Sequence, residues 1–124
     1  MEFHHTHVAP AAIALAEKVL RSSRLSEGAV VRQFEVALAE RLGLSRPVAL
    51  NSGTSALHLA LAIAGVGPGD EVVLPPQTFV ATGLSVLMQR AVPVFADMDP
   101  ATGNISPASI ESRLTPRTRA IMPV

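Results

Sequence analysis

The sequence contains no cysteine, no tryptophan and no tyrosine, and its single lysine is Lys18. Without cysteine there is no disulfide framework and no thiolate nucleophile. Without tryptophan and tyrosine, stacking against a flat ligand falls to one of four phenylalanines or to histidine. Charge is sparse and balanced: ten basic and ten acidic residues cancel, and only 16% of the chain is charged. No basic block of the kind that binds nucleic acid is present, so nucleic acid is discounted as a partner. No apolar run approaches the length of a membrane span, which argues against a membrane partner. The start, Met1-Glu2-Phe3-His4-His5-Thr6-His7, lacks the basic and apolar regions of a signal peptide. The default expectation is a soluble, cytoplasmic protein. Against these absences stands a hydrophobic content of 48% in 124 residues, enough for one domain with a core and too high for disorder.

Residues 1–9 read as a loose, solvated lead-in. His4, His5 and His7 have the look of a short metal-binding tract, but no carboxylate or cysteine accompanies them at ligand spacing, and no metal is expected. Pro10 to Arg21 reads as a helix with Pro10 in its first turn and Ile13, Ala16, Val19 and Leu20 on one face. Lys18 lies off that face. Beside Glu17, which favours its charged form, it reads as a solvated lysine and not as a reactive amine. A second helix is expected over 29–42. Its stripe is Val31, Phe34, Leu38 and Leu42, with Phe34 in the core and Gly43 as the stop.

The chain is organised around Val48 to Leu61. Val48-Ala49-Leu50 reads as a short buried strand, Asn51-Ser52-Gly53 as a turn, and Thr54 or Ser55 as the cap of a helix over 54–64. First-turn N–H groups have no intrahelical partner and the helix dipole adds partial positive charge, so such a turn can cradle a phosphate. An ordinary capped strand–turn–helix has the same local pattern. A P-loop is excluded, because no lysine stands in the turn. A dinucleotide fingerprint is excluded too. The glycine run Gly65-Val66-Gly67-Pro68-Gly69-Asp70 follows a helix, and reads as a helix C-cap at Gly65 with a bend at Pro68-Gly69.

Three more strands are expected, at 71–74, at 92–96 and from Arg119 onward, the second with Pro93 near its start. Between the first two lies a helix capped by Thr78 and running to about Arg90, with Val80, Leu84, Leu87 and Met88 as its apolar face. Asp97 and Asp99 read as members of a turn-rich loop more readily than as Mg²⁺ ligands. Ser106 caps a last helix with Pro107 at its first position and Ile110 and Leu114 inward. Strand and helix alternate, which is an α/β pattern with a mainly parallel sheet. Ligands collect at the carboxyl ends of such strands, where the Ser52–Ser55 turn and Gln77-Thr78-Phe79 share one rim. A phosphate cradle beside a flat apolar ring suits a planar, phosphorylated ligand.

Several runs carry a resemblance. Asn51 to Leu61, Gly67-Pro68-Gly69-Asp70-Glu71-Val72, Pro75 with Thr78-Phe79-Val80-Ala81-Thr82, Val92 to Pro100 and Leu114 to Val124 together resemble the DegT/DnrJ/StrS family of pyridoxal-phosphate sugar aminotransferases. The resemblance extends in order from about residue 10 to the last. It implies an α/β fold of the type I, aspartate aminotransferase-like class, with residues 10–124 as the N-terminal part of the large, cofactor-binding domain. It implies pyridoxal 5'-phosphate as cofactor, a nucleotide-linked keto sugar as substrate, an amino-acid donor, usually glutamate, and a homodimer. Carried over residue by residue, it implies that Gly53, Thr54 and Ser55 bind the cofactor phosphate and that Phe79 stacks on its ring.

The departures from the family pattern are specific. The lysine that the family bonds to the cofactor lies beyond the residues matched, and Lys18 matches no such position, so no catalytic residue is assigned. Arg24 and Ser26 stand in the loop Ser23-Arg24-Leu25-Ser26-Glu27-Gly28 where the family often has tryptophan and threonine, which leaves the substrate open. The expectation is therefore an N-terminal portion, cut within the sheet, inactive alone and prone to self-association. A sugar dehydratase of the same fold and a non-catalytic fragment are the alternatives.

Overall fold

A computed structural model describes residues 6–124. His4 and His5 lie outside the described residues; His7 is exposed, and no cluster of three or more His, Asp or Glu ligands occurs among those described. The chain divides into two compact units, one up to Ala49 and the other Leu50–Val124.

The first unit consists of α1 (Pro10–Arg21) and α2 (Ala29–Leu42), with the bounds that the capping residues predict. Ser22 closes α1 by donating both its N–H, at 3.0 Å, and its hydroxyl, at 2.7 Å, to the carbonyl of Val19. Gly43, at φ +67°, ends α2 in the left-handed region, where a side chain would be strained. Beyond α2 the Glu35 carboxylate accepts the N–H of Ala49 at 2.9 Å. The expected core position of Phe34 is not realised: it is 54% exposed, and neither helix buries a residue. A helix pair without a sheet leaves most of each apolar stripe uncovered.

The second unit holds α3 (Gly53–Ile63), β1 (Glu71–Leu74), α4 (Ala81–Met88), β2 (Val92–Phe95), α5 (Pro107–Arg113) and β3 (Thr118–Ile121). The three strands form a parallel sheet in the order β2-β1-β3. β1 is central and buried along its whole length, as a parallel strand covered on both faces must be. Val72 and Leu74 point into one core with Leu61, Val66, Val86 and Ala91. Val73 points the other way, to Ala96 and Ile105. Pro93 is tolerated because β2 is an edge strand. The register of β3 on β1 slips between Glu71 and Val72, so that Glu71 pairs with Thr118 but Val72 with Ala120.

Several expectations need correction. Val48-Ala49-Leu50 is not a strand: it pairs with none of the three, and Val48 and Leu50 are exposed. A strand exists only through its ladder partner, and apolar composition does not supply one. The strands therefore number three among the described residues, the last ending at Ile121. The cap of α3 is Ser52, not Thr54 or Ser55, and its C-cap is Ala64, with Gly65 one residue beyond. Thr78 does not cap α4, which starts at Ala81 after a bend and ends at Met88. The face of α4 is also reversed. Val80, Leu84, Leu87 and Met88 are exposed, whereas Ala81, Thr82, Ser85 and Val86 are buried. Small residues allow α4 to lie close on α3 and β1, and the hydroxyls are satisfied inside the segment, since Ser85 donates to the carbonyl of Thr82 at 2.8 Å. Ile110 packs inward on α5 as expected, but Leu114 is 49% exposed because the helix has ended at Arg113.

Candidate functional site

The turn before α3 is built by Ser52. Its side chain accepts the N–H of Ser55 at 3.1 Å, and its carbonyl accepts that of Ala56 at 3.1 Å. Its hydroxyl also lies 3.0 Å from the hydroxyl of Ser55. Two of the four first-turn donors are thus taken up by Ser52. The other two, on Gly53 and Thr54, have no intrahelical carbonyl to reach, and they stand at the positive end of the helix. An added Cβ at Gly53 would meet nothing within 4 Å, so there is open space beside this backbone.

The second wall is the segment that leaves the carboxyl end of β1. Pro75 is buried, Thr78 is half-buried, and Phe79 projects with 78% of its surface exposed. A phenylalanine that exposed contributes little to a core; its ring face is available. Thr82, nearly buried, donates its N–H to the carbonyl of Phe79 at 3.0 Å, and its hydroxyl lies 2.8 Å from that of Thr78.

The two walls meet. Gly53, Thr54, Ala56, Leu57, Phe79, Ala81 and Thr82 line one open cleft of about 480 Å³. The expectation that the two loops share a rim is realised in this cleft. Three of the four residues singled out from the sequence, Gly53, Thr54 and Phe79, line it. Ser55 does not; its N–H and hydroxyl turn back to Ser52. Thr82 was missed as a cleft residue, and the four-residue interval between the two threonines was the available signal. Chemically, the cleft offers two backbone donors and a helix dipole at one end and an apolar ring at the other. That donor set fits the phosphate and the ring of pyridoxal phosphate. Lys18 is exposed on α1 in the first unit. The Asp97 and Asp99 carboxylates are engaged locally, the one by the Ser109 hydroxyl at 3.3 Å, the other by the Ala101 N–H at 2.9 Å.

Comparison with known proteins assigns the family. The chain is 48% identical over 99 residues to GDP-perosamine synthase of Caulobacter vibrioides, a match covering 80% of this chain and 27% of that protein. It is 42% identical over 108 residues to the UDP-2-acetamido-2-deoxy-3-oxo-D-glucuronate aminotransferase of Pseudomonas aeruginosa, covering 87% of this chain and 30% of the relative. The chain thus spans less than a third of the length of these relatives. Among solved structures, NtdA of Bacillus subtilis with bound cofactor PMP superposes with a TM-score of 0.84 at 36% identity, over 90% of this chain and 26% of that one. Its α/β fold is therefore that of the pyridoxal-phosphate-dependent sugar aminotransferases. A family model matches residues 7–124, through both helices of the first unit and all of the second, and the chain belongs to the DegT/DnrJ/EryC1/StrS aminotransferase family.

Proposed function

We propose that this chain forms one wall of the cofactor site of an aminotransferase that acts on a nucleotide-linked keto sugar. The observation that carries the proposal is the cleft that Gly53 and Thr54, at the start of α3, line together with the exposed Phe79. Gly53 and Thr54 hold the phosphate of pyridoxal phosphate through backbone N–H groups and helix dipole, while Ser55, tied to Ser52, keeps the turn in shape. Phe79 stacks on the pyridine ring and shields one of its faces from water. When bound, the cofactor supplies the electron sink that transamination requires. The chain's own residues bind and orient it. The lysine that performs proton transfer in the family is matched by no residue here, and Lys18 has no part in the chemistry.

Family membership supports the reading of substrate and assembly. Relatives named for GDP- and UDP-linked sugars support a nucleotide sugar as substrate. An amino acid, glutamate by preference, is the donor, and the working enzyme is a cytoplasmic homodimer. The test is a titration of the protein with pyridoxal phosphate, followed by equilibrium dialysis and by circular dichroism in the cofactor's absorption band. Binding that inorganic phosphate competes away, and that Phe79→Ala weakens about tenfold through loss of aromatic contact, supports the reading. Binding indifferent to both would refute it.

A further inference from the structure

Phe79 leaves 78% of its surface exposed, so its place is set mainly by its backbone. It sits in the bend between β1 and α4, outside regular secondary structure. Two ties fix that bend to the helix. The Thr82 N–H donates to the Phe79 carbonyl at 3.0 Å, and the Thr78 and Thr82 hydroxyls lie 2.8 Å apart. Among the described residues, Thr78 makes the only side-chain hydrogen bonds of 76–80: this one and a longer contact, at 3.4 Å, to the Phe79 carbonyl. Thr82 is 5% exposed and lies on the buried face of α4, whose next turn Ser85 anchors by donating to the Thr82 carbonyl at 2.8 Å. Phe79 and the residue before it are therefore both tied to one buried threonine, and that threonine also lines the cleft.

We propose that Thr82 is a positioning residue for ring recognition: with Thr78 it clamps the bend so that Phe79 faces the Gly53–Thr54 turn. This rests on the reading of the cleft as a pyridoxal phosphate site. The clamp acts on the ring end of the ligand and leaves the phosphate end to α3. A fixed backbone spares the ligand the entropy of ordering the bend on binding.

The experiment compares pyridoxal phosphate with inorganic phosphate as probes of the protein and of its Thr82→Val, Thr82→Ser and Thr78→Val variants. Thr82→Val keeps shape and removes the hydroxyl. It is expected to weaken pyridoxal phosphate binding about fivefold, the worth of one neutral hydrogen bond, and to diminish the circular dichroism of the bound cofactor. Phosphate alone should bind as before. Thr82→Ser restores both signals. Thr78→Val reproduces the loss, and combining it with Thr82→Val adds nothing, because the two act through one bond. Should Thr82→Val fail to fold, Thr78→Val, half-buried and outside the helix, carries the same test. Cofactor affinity and dichroism unchanged in these variants, while Phe79→Ala weakens binding, overturns the clamp alone. An equal loss for both probes overturns it as well, by making Thr82 a merely structural residue. If the unaltered protein binds no pyridoxal phosphate, or Phe79→Ala has no effect, the reading of the cleft falls and the clamp with it.

Discussion

The N–H of Val66 donates to the carbonyl of Leu61 at 3.0 Å, and the two side chains, each 4% exposed, meet in the core beneath β1. Between them the Gly65 N–H donates to the Ala62 carbonyl at 3.0 Å, and Gly65 itself sits at φ +73°. This closes α3 with two of its orphan carbonyls satisfied and turns the chain directly into the loop before β1. Gly65→Ala should destabilise the second unit by about 1 kcal/mol, the cost of a side chain in the left-handed region. The nearest neighbour of the added methyl, the end of the Arg119 side chain at 3.4 Å, can move aside, so packing adds little. Urea unfolding of the variant measures the loss; an unchanged midpoint would contradict it.

At the other end of α3, Ser52 satisfies two first-turn donors. Ser52→Ala should cost about 1 kcal/mol of stability, as loss of an N-cap side chain does. It should also weaken inorganic phosphate binding, because the turn loses the tie that holds its shape. Ser52→Asp keeps the cap but places a negative charge beside the proposed cradle. Stability retained with phosphate binding abolished is the expected signature of that variant, and calorimetry with dialysis against phosphate separates the two effects.

Glu71 opens β1, and although buried it accepts hydrogen bonds from the Thr115 hydroxyl and from the Arg117 guanidinium, with Arg117 Nε at 2.9 Å. Those bonds, Thr115's first, and the adjacent charge hold its carboxyl below its ordinary value of 4.5, against the opposing effect of burial. A carboxyl depressed in the folded state binds its proton more readily once unfolded. Its stabilising contribution is therefore complete above about pH 4.5 and is lost as the pH falls through the lower, folded value. Glu71→Gln should flatten that acid limb. Denaturant midpoints taken between pH 7 and pH 3 read the difference; parallel curves for the two proteins would disprove the assignment.

The outer face of α4 exposes Val80, Leu84, Leu87 and Met88 side by side. A patch of that kind promotes association in water. The 124-residue chain is expected to self-associate, and Leu84→Lys with Leu87→Lys should reduce this while changing stability by no more than about 0.5 kcal/mol, since neither side chain is buried. Sedimentation velocity over a range of concentrations gives the answer. Association undiminished in the double variant would place the contact elsewhere.

Much of the fold was legible in sequence because its signals are local. Pro10, Gly43, Ser106 and Pro107 mark helix ends by backbone conformation and missing donors, and those ends fall where expected. That Gly53, Thr54 and Phe79 are candidate site residues was readable for the same reason: a capped helix start and an aromatic past a strand are short-range patterns, and the three line one cleft. The face of α4 was not legible. Amphipathicity assigns the large apolar residues inward, but α4 approaches β1 through Gly83, whose added Cβ would lie 4.0 Å from Leu74, and through hydroxyls bonded within the segment. Nothing in one-dimensional periodicity distinguishes a satisfied threonine from a solvated one.

By itself the sequence determined both ends of α1 and α2 and the start of α5, that the class is α/β, and which two loops line the candidate cleft, because capping, turn geometry and side-chain chemistry act over a few residues. Only the tertiary structure decided that Val48-Ala49-Leu50 is no strand, that α4 turns its hydroxyls inward, and that Thr82 stands behind Phe79. A ladder needs a partner brought from far along the chain, and the buried face of a helix is chosen by what packs against it.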